Sequence, residues 1–102
     1  MRIEFEDDEL RRLAYGEIRH VKRWPPEVTT RFYMRIQQLR SAADERALRA
    51  LKSLHLEQLK GKDRRGQSSI RLNQKYRLIV RFYTDAGGRV TVIIDGLDYH
   101  KG

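Results

Sequence analysis

The sequence predicts a single α+β domain, on three observations. Apolar residues recur at helical spacing through residues 10–43, strand-period alternation takes over from residue 68, and 102 residues hold one modest core rather than two. The architecture that follows is an N-terminal strand, then a helical hairpin with a short third helix, packed on an antiparallel sheet. One domain over 1–102 is expected.

Arg2 to Glu6 alternates, with Ile3 and Phe5 on one side and Arg2, Glu4 and Glu6 on the other, the pattern of a short edge strand. Asp7 or Asp8 caps the helix that follows, because a carboxylate accepts the orphan N–H groups of a first turn. Leu10, Leu13, Ala14, Ile18 and Val21 make its apolar stripe. Pro25-Pro26 stops that segment and restarts the next, since a first turn needs no N–H there. Val28, Phe32, Ile36, Leu39 and Ala43 form the second stripe, and Asp44 caps a third helix that buries Leu48 and Leu51.

From residue 54 the pattern changes. Gly61-Lys62-Asp63-Arg64-Arg65-Gly66 is a basic loop between two glycines. Strands are predicted at Ser68–Leu72, Tyr76–Tyr83 and Val90–Leu97, joined by turns at Asn73-Gln74-Lys75 and Asp85-Ala86-Gly87-Gly88. Tyr76, Leu78, Val80 and Phe82 take the core face of the middle strand, matched by Val90, Val92 and Ile94 on the last.

The formal charge is +8, and it is uneven: residues 1–50 carry net +2 and residues 51–102 carry net +6. Such a field draws polyanions, above all nucleic-acid phosphates. Arg71, Arg77 and Arg81 fall on the sheet face turned away from the helices, beside the basic loop. A solvated, arginine-rich face of this kind predicts an anion-binding concavity. With no cysteine, disulfide scaffolds, thiolate metal sites and cysteine nucleophiles are excluded. His20, His55 and His100 have no metal-ligand spacing, and neither a phosphate-binding glycine loop nor a G-x-S-x-G elbow occurs. The acidic start lacks a secretory h-region and no apolar run reaches ~18 residues, so a cytoplasmic protein without a membrane partner is expected.

Asp98-Tyr99-His100 places three proton-handling groups directly behind a strong strand. The alternative for such a stretch is a frayed tail. Three further segments precede it in order: Leu54-His55-Leu56-Glu57-Gln58-Leu59-Lys60-Gly61, Gly66-Gln67-Ser68-Ser69-Ile70-Arg71-Leu72-Asn73 and Tyr76-Arg77-Leu78-Ile79. Together with Pro25-Pro26-Glu27-Val28, this series resembles the HigB-like toxins, plasmid-maintenance killer proteins of the RelE/ParE superfamily. The resemblance spans nearly the whole chain, and its specificity lies in the order of the elements.

The resemblance implies a RelE-like domain and a toxin of a type II toxin-antitoxin system. It implies a ribosome-dependent mRNA endonuclease that cleaves without a metal or other cofactor. The partners it implies are the ribosome, mRNA and a HigA-like helix-turn-helix antitoxin, the last in a hetero-oligomeric complex. Asp98, Tyr99 and His100 match the family's terminal motif, Lys60 the lysine of Leu-Lys-Gly, and Arg77 the arginine after an aromatic residue. His55 corresponds to a histidine that precedes Leu-Lys-Gly, closer to the lysine in some members than here. Lys62 stands where some relatives place an aspartate.

Cleavage of this kind needs a base, an acid and cations around the phosphate. His100, with a reference pKa near ~6.5, suits either proton role, and Asp98 either orients it or acts as base. Tyr99 stacks on a base or donates a hydrogen bond. Lys60 and Arg77, with Arg64 or Arg71, hold the scissile phosphate, because guanidinium forks match its oxygens. Lys62, Arg65 and Arg81 complete the expected RNA-binding set. Two other functions suit the same chain: a ParE-like poison of DNA gyrase, and a non-enzymatic basic module that docks nucleic acid.

Overall fold

The computed structural model describes residues 1–98. In chain order the elements are β1 (Arg2–Phe5), α1 (Asp8–Ala14), α2 (Pro26–Ser41), α3 (Glu45–Arg49), β2 (Glu57–Gln58), β3 (Gln67–Arg71), β4 (Tyr76–Asp85) and β5 (Gly88–Asp98), with single 3₁₀ turns at Lys52–Leu54 and Lys62–Arg64. One five-stranded sheet has the order β1-β5-β4-β3-β2. It is antiparallel except at β1, which runs parallel to β5 with Arg2 opposite Val90 and Phe5 opposite Ile93. The predicted α+β architecture stands, with β1 as an edge strand.

Asp7 is the residue that caps α1, accepting from the Leu10 N–H at 2.9 Å. The apolar stripe predicts a helix running to Val21, but α1 ends at Ala14. Gly16, at φ +77°, turns the chain out of the helix. Val21 and Trp24 still enter the core from the irregular stretch that follows. Trp24 packs against Gly96, where a Cβ would sit 2.2 Å from the indole. The helix restarts with Pro25 as cap and Pro26 at its first position.

On α2, Val28, Phe32, Ile36 and Leu39 are buried as predicted. The helix ends at Ser41, two residues short of the pattern, and Ala42 is buried while Ala43 is exposed. Asp44 caps α3, which buries Leu48, whereas Leu51 lies past its end and is 40% exposed. The core these helices share with the sheet includes Leu54, Ile70, Leu72, Leu78, Val80 and Ile93.

The last strand differs from expectation in phase. Ile79 pairs with Asp95 but Val80 pairs with Ile93, which leaves Ile94 as an extra residue. Thr91 and Ile93 therefore lie opposite Phe82 and Val80 and take the helix-facing side, while Val90 and Val92 lie opposite Tyr83 and Arg81. A one-residue shift moves a whole strand's side chains to the other face, and all of Val90, Val92, Ile93 and Ile94 are apolar, so alternation alone does not select the phase. Val90 and Val92 are buried nonetheless, on the face shared with Arg2 and Glu4 of β1. The two-residue strand β2, paired to Ser68 and Ser69, is too short to leave a period-2 signal.

Candidate functional site

On the sheet face opposite the helices lies a cleft of about 390 Å³, lined by Leu59, Lys60, Arg64, Ser69, Arg77, Ile79, Leu97 and Asp98. Its floor comes from three adjacent strands. In register, Ser69 sits opposite Ile79 and Arg77 opposite Leu97, in alternation with core residues Ile70, Leu78 and Val80. Its wall is the basic loop after β2. Gln67 ties that loop down at two points: its carbonyl accepts from the Leu59 N–H at 2.9 Å, and its side-chain oxygen from Arg64 Nη1 at 3.2 Å. Lys60 and Arg64 are thereby brought over the strand that carries Ser69.

Arg77 is the centre of the arrangement, and its environment corrects the expected solvated face. The side chain is only 8% exposed. Its Nε donates to Ser69 Oγ at 2.9 Å and its Nη2 to the His55 carbonyl at 2.6 Å. An unmatched buried guanidinium would cost several kcal/mol, and these acceptors are what make the position tolerable. Asp98 closes the cleft at the end of β5, and its carboxylate lies 3.6 Å from Lys75 Nζ.

Lys60, Arg64, Arg77 and Asp98 thus meet at one cleft. His55 contributes its backbone: the residue stands at φ 44° after the 3₁₀ turn, its carbonyl bonded to Arg77 and its side chain exposed. Lys62 and Arg65 are exposed on the loop, outside the lining. Arg71 is the cross-strand neighbour of Arg77 and does not line the cleft. Arg81 shares the face but is engaged elsewhere, with Glu6 at 3.1 Å and the Tyr83 ring at 5.9 Å. The expected cluster of Arg71, Arg77 and Arg81 therefore resolves into one arginine in the cleft and two beside it. Tyr99 and His100 lie outside the described residues.

Sequence reasoning misses Ser69, which reads as strand surface. The signal is in the register: a turn at 73–75 that pairs Arg71 with Arg77 puts Ser69 two residues along the same face. It also misses Arg35 of α2, 2% exposed behind the sheet. Arg35 Nε donates to the Arg71 carbonyl at 2.8 Å and Nη2 to the Ser53 carbonyl at 3.4 Å. Burial, with Arg31 nearby, pushes its pKa below the usual arginine value. Its spacing from Phe32 and Leu39 marks it as a member of the buried stripe.

Chemically, three cations and one carboxylate share the cleft with the apolar side chains of Leu59, Ile79 and Leu97. That arrangement suits a phosphodiester: guanidinium and ammonium donors for its oxygens, and walls that lower the local dielectric and strengthen each contact. Among the described residues no group of three or more His, Asp or Glu is placed to hold a metal ion.

The family model for the RelE-like toxin of the type II toxin-antitoxin system HigB matches residues 3–100. No curated protein sequence matches the chain. Among solved structures, a YoeB/ParE toxin from Agrobacterium tumefaciens has the same fold, with a TM-score of 0.60 over 97% of this chain and 99% of that one, at 16% identity.

Proposed function

The chain belongs to the HigB-like family of RelE-like type II toxins, whose members are paired with an antitoxin, and from that premise we propose that it is a ribosome-dependent mRNA endonuclease. The observation that supports this reading is the convergence of Lys60, Arg64 and Arg77 on a cleft that ends at Asp98, next in sequence to Tyr99 and His100.

In this reading the scissile phosphate sits against Arg77, with Lys60 and Arg64 closing from the loop. A base removes the ribose 2′-hydroxyl proton, and the 2′-oxygen forms its bond to phosphorus. The P–O5′ bond breaks, and an acid protonates the departing 5′-oxygen. The products are a 2′,3′-cyclic phosphate and a 5′-hydroxyl. His100 and Asp98 form the proton-handling pair, and Tyr99 contacts the RNA. The cations carry the charge that builds on pentacoordinate phosphorus, the role elsewhere taken by a metal ion. One such preorganised donor is typically worth about 10²–10³ in rate.

The ribosome presents the mRNA, a HigA-like helix-turn-helix antitoxin restrains the toxin in a hetero-oligomeric complex, and the setting is the cytoplasm. No described helix is long and apolar enough to cross a membrane. The test is to map mRNA ends on translating ribosomes after induction of wild type and of His100→Gln. The proposal expects new 5′-hydroxyl ends with wild type and none with the variant. Cuts that persist in His100→Gln would remove the imidazole from the chemistry. Double-strand DNA breaks without mRNA cuts would move the target to gyrase.

A further inference from the structure

Two buried arginines, one on each side of the sheet, bridge the same two segments. On the cleft side Arg77 joins β3 to the end of the 3₁₀ turn, through Ser69 Oγ and the His55 carbonyl. On the helix side Arg35 of α2 joins them again. Its Nε donates to the Arg71 carbonyl at 2.8 Å and its Nη2 to the Ser53 carbonyl at 3.4 Å. In each segment the two contacts lie close together, at Ser69 and Arg71 on β3 and at Ser53 and His55 in the turn. Arg71 is also the cross-strand partner of Arg77.

Stability alone gives no reason for a guanidinium at position 35. Its third bond goes to Gln38 Oε1 at 3.0 Å, and all three acceptors are neutral. Neutral acceptors offset only part of the desolvation cost of a buried charge. The neighbours Phe32, Ile36 and Leu39 are buried apolar residues, so the place suits an apolar side chain, and such a replacement of a buried charge is often neutral or stabilising. An apolar side chain cannot, however, hold two carbonyls at a fixed separation. The turn needs such a hold: His55 stands at φ 44°, in the left-handed region, and it is the residue whose carbonyl Arg77 uses. Backbone of this kind persists where surrounding contacts over-determine it.

We propose that Arg35 is a positioning residue for the cleavage reaction: by fixing the Ser53 and Arg71 carbonyls, it sets the spacing of the two acceptors that aim the Arg77 guanidinium. This rests on the endonuclease reading above, and the experiment separates the two. Cleavage on mRNA-programmed ribosomes is measured for wild type, Arg35→Lys, Arg35→Gln and Ile36→Val. The Arg77 Nε–H resonance is followed in isotope-labelled protein and identified by its absence from Arg77→Lys. Lysine keeps the charge and glutamine avoids burying an ammonium, but neither reaches both carbonyls. Both are expected to lower kcat about 10- to 100-fold while KM for the ribosome changes by no more than about twofold, the mark of a misplaced group rather than a lost substrate contact. The Arg77 resonance is expected to shift, and its solvent exchange to quicken about tenfold. Ile36→Val thins the same stripe and leaves both carbonyl bonds in place. It is expected to lower the melting temperature and to leave kcat and the resonance at their wild-type values.

A folded Arg35→Lys or Arg35→Gln with a wild-type Arg77 resonance would overturn the proposal, and so would a loss confined to KM. If wild type cuts no mRNA on ribosomes, the endonuclease reading falls, and the Arg77 resonance alone decides whether Arg35 positions that guanidinium.

Discussion

Arg77 Nη2 and the carbonyl oxygen of His55 lie 2.6 Å apart, across 22 residues of chain. The strand arginine therefore fastens the segment that leads to Lys60 as well as facing the cleft. Arg77→Lys keeps the charge but cannot reach Ser69 and His55 together. It is expected to lose most cleavage activity and about 1–3 kcal/mol of stability, because a buried acceptor is left unmatched. Lys62→Ala, at an exposed loop position, is expected to change neither by much. Ribosomal cleavage assays and urea unfolding on both variants check this, and equal losses would mean a general need for positive charge rather than a positioned guanidinium.

Ser69→Ala removes the acceptor of Arg77 Nε, which lies 2.9 Å away. A net loss of about 1 kcal/mol is expected. Activity is expected to fall further than stability alone explains, with Ser69→Thr restoring most of it because the hydroxyl returns. If Ser69→Ala cleaves at the wild-type rate, the hydroxyl does not orient the guanidinium.

Gly96→Ala would place a methyl group 2.2 Å from the Trp24 ring. Trp24 also packs on Phe32, with ring centroids 5.4 Å apart, so it has no easy retreat. Overpacking of this kind costs typically about 1–3 kcal/mol. Thermal unfolding and near-ultraviolet circular dichroism of the tryptophan report it, and an unchanged melt would show that the contact is loose.

Glu45 of α3 accepts two bonds from Arg89 of β5, at 2.8 and 2.5 Å. Hydrogen bonding from Arg89 holds the Glu45 carboxyl below the usual carboxylate range. The folded-state pKa is thus depressed, so the stabilisation is complete above the unfolded value of about 4.3 and is lost as pH falls through the folded value. Wild type is expected to exceed Glu45→Gln by about 1 kcal/mol at pH 7, with the gap closing in acid. Melts at pH 7 and at about pH 3 test it; a gap of constant size would rule out the ion pair as its source.

Much of the fold is legible because its period is unambiguous. The stripe of Val28, Phe32, Ile36 and Leu39 has only one helical solution, and Tyr76, Leu78, Val80 and Phe82 alternate cleanly with Arg77 and Arg81. The phase of β5 is illegible for the opposite reason, since both of its faces read as apolar around Ile93 and Ile94. At the site, strand position points to Arg77, the basic loop to Arg64, and the resemblance to the toxin family to Lys60. They do not reveal that Arg77 is buried, because its acceptors come from a serine on the next strand and from the carbonyl of the left-handed residue His55, partners that only the tertiary fold brings near.

Because Ile3 and Phe5 pair with the strand at 91 and 93, β1 finds its hydrogen-bonding partners only once β5, almost ninety residues along the chain, is in place. Contacts this distant in sequence close late, after the loop entropy of the whole chain has been overcome. The sheet edge at β1 is therefore among the last parts of the fold to close.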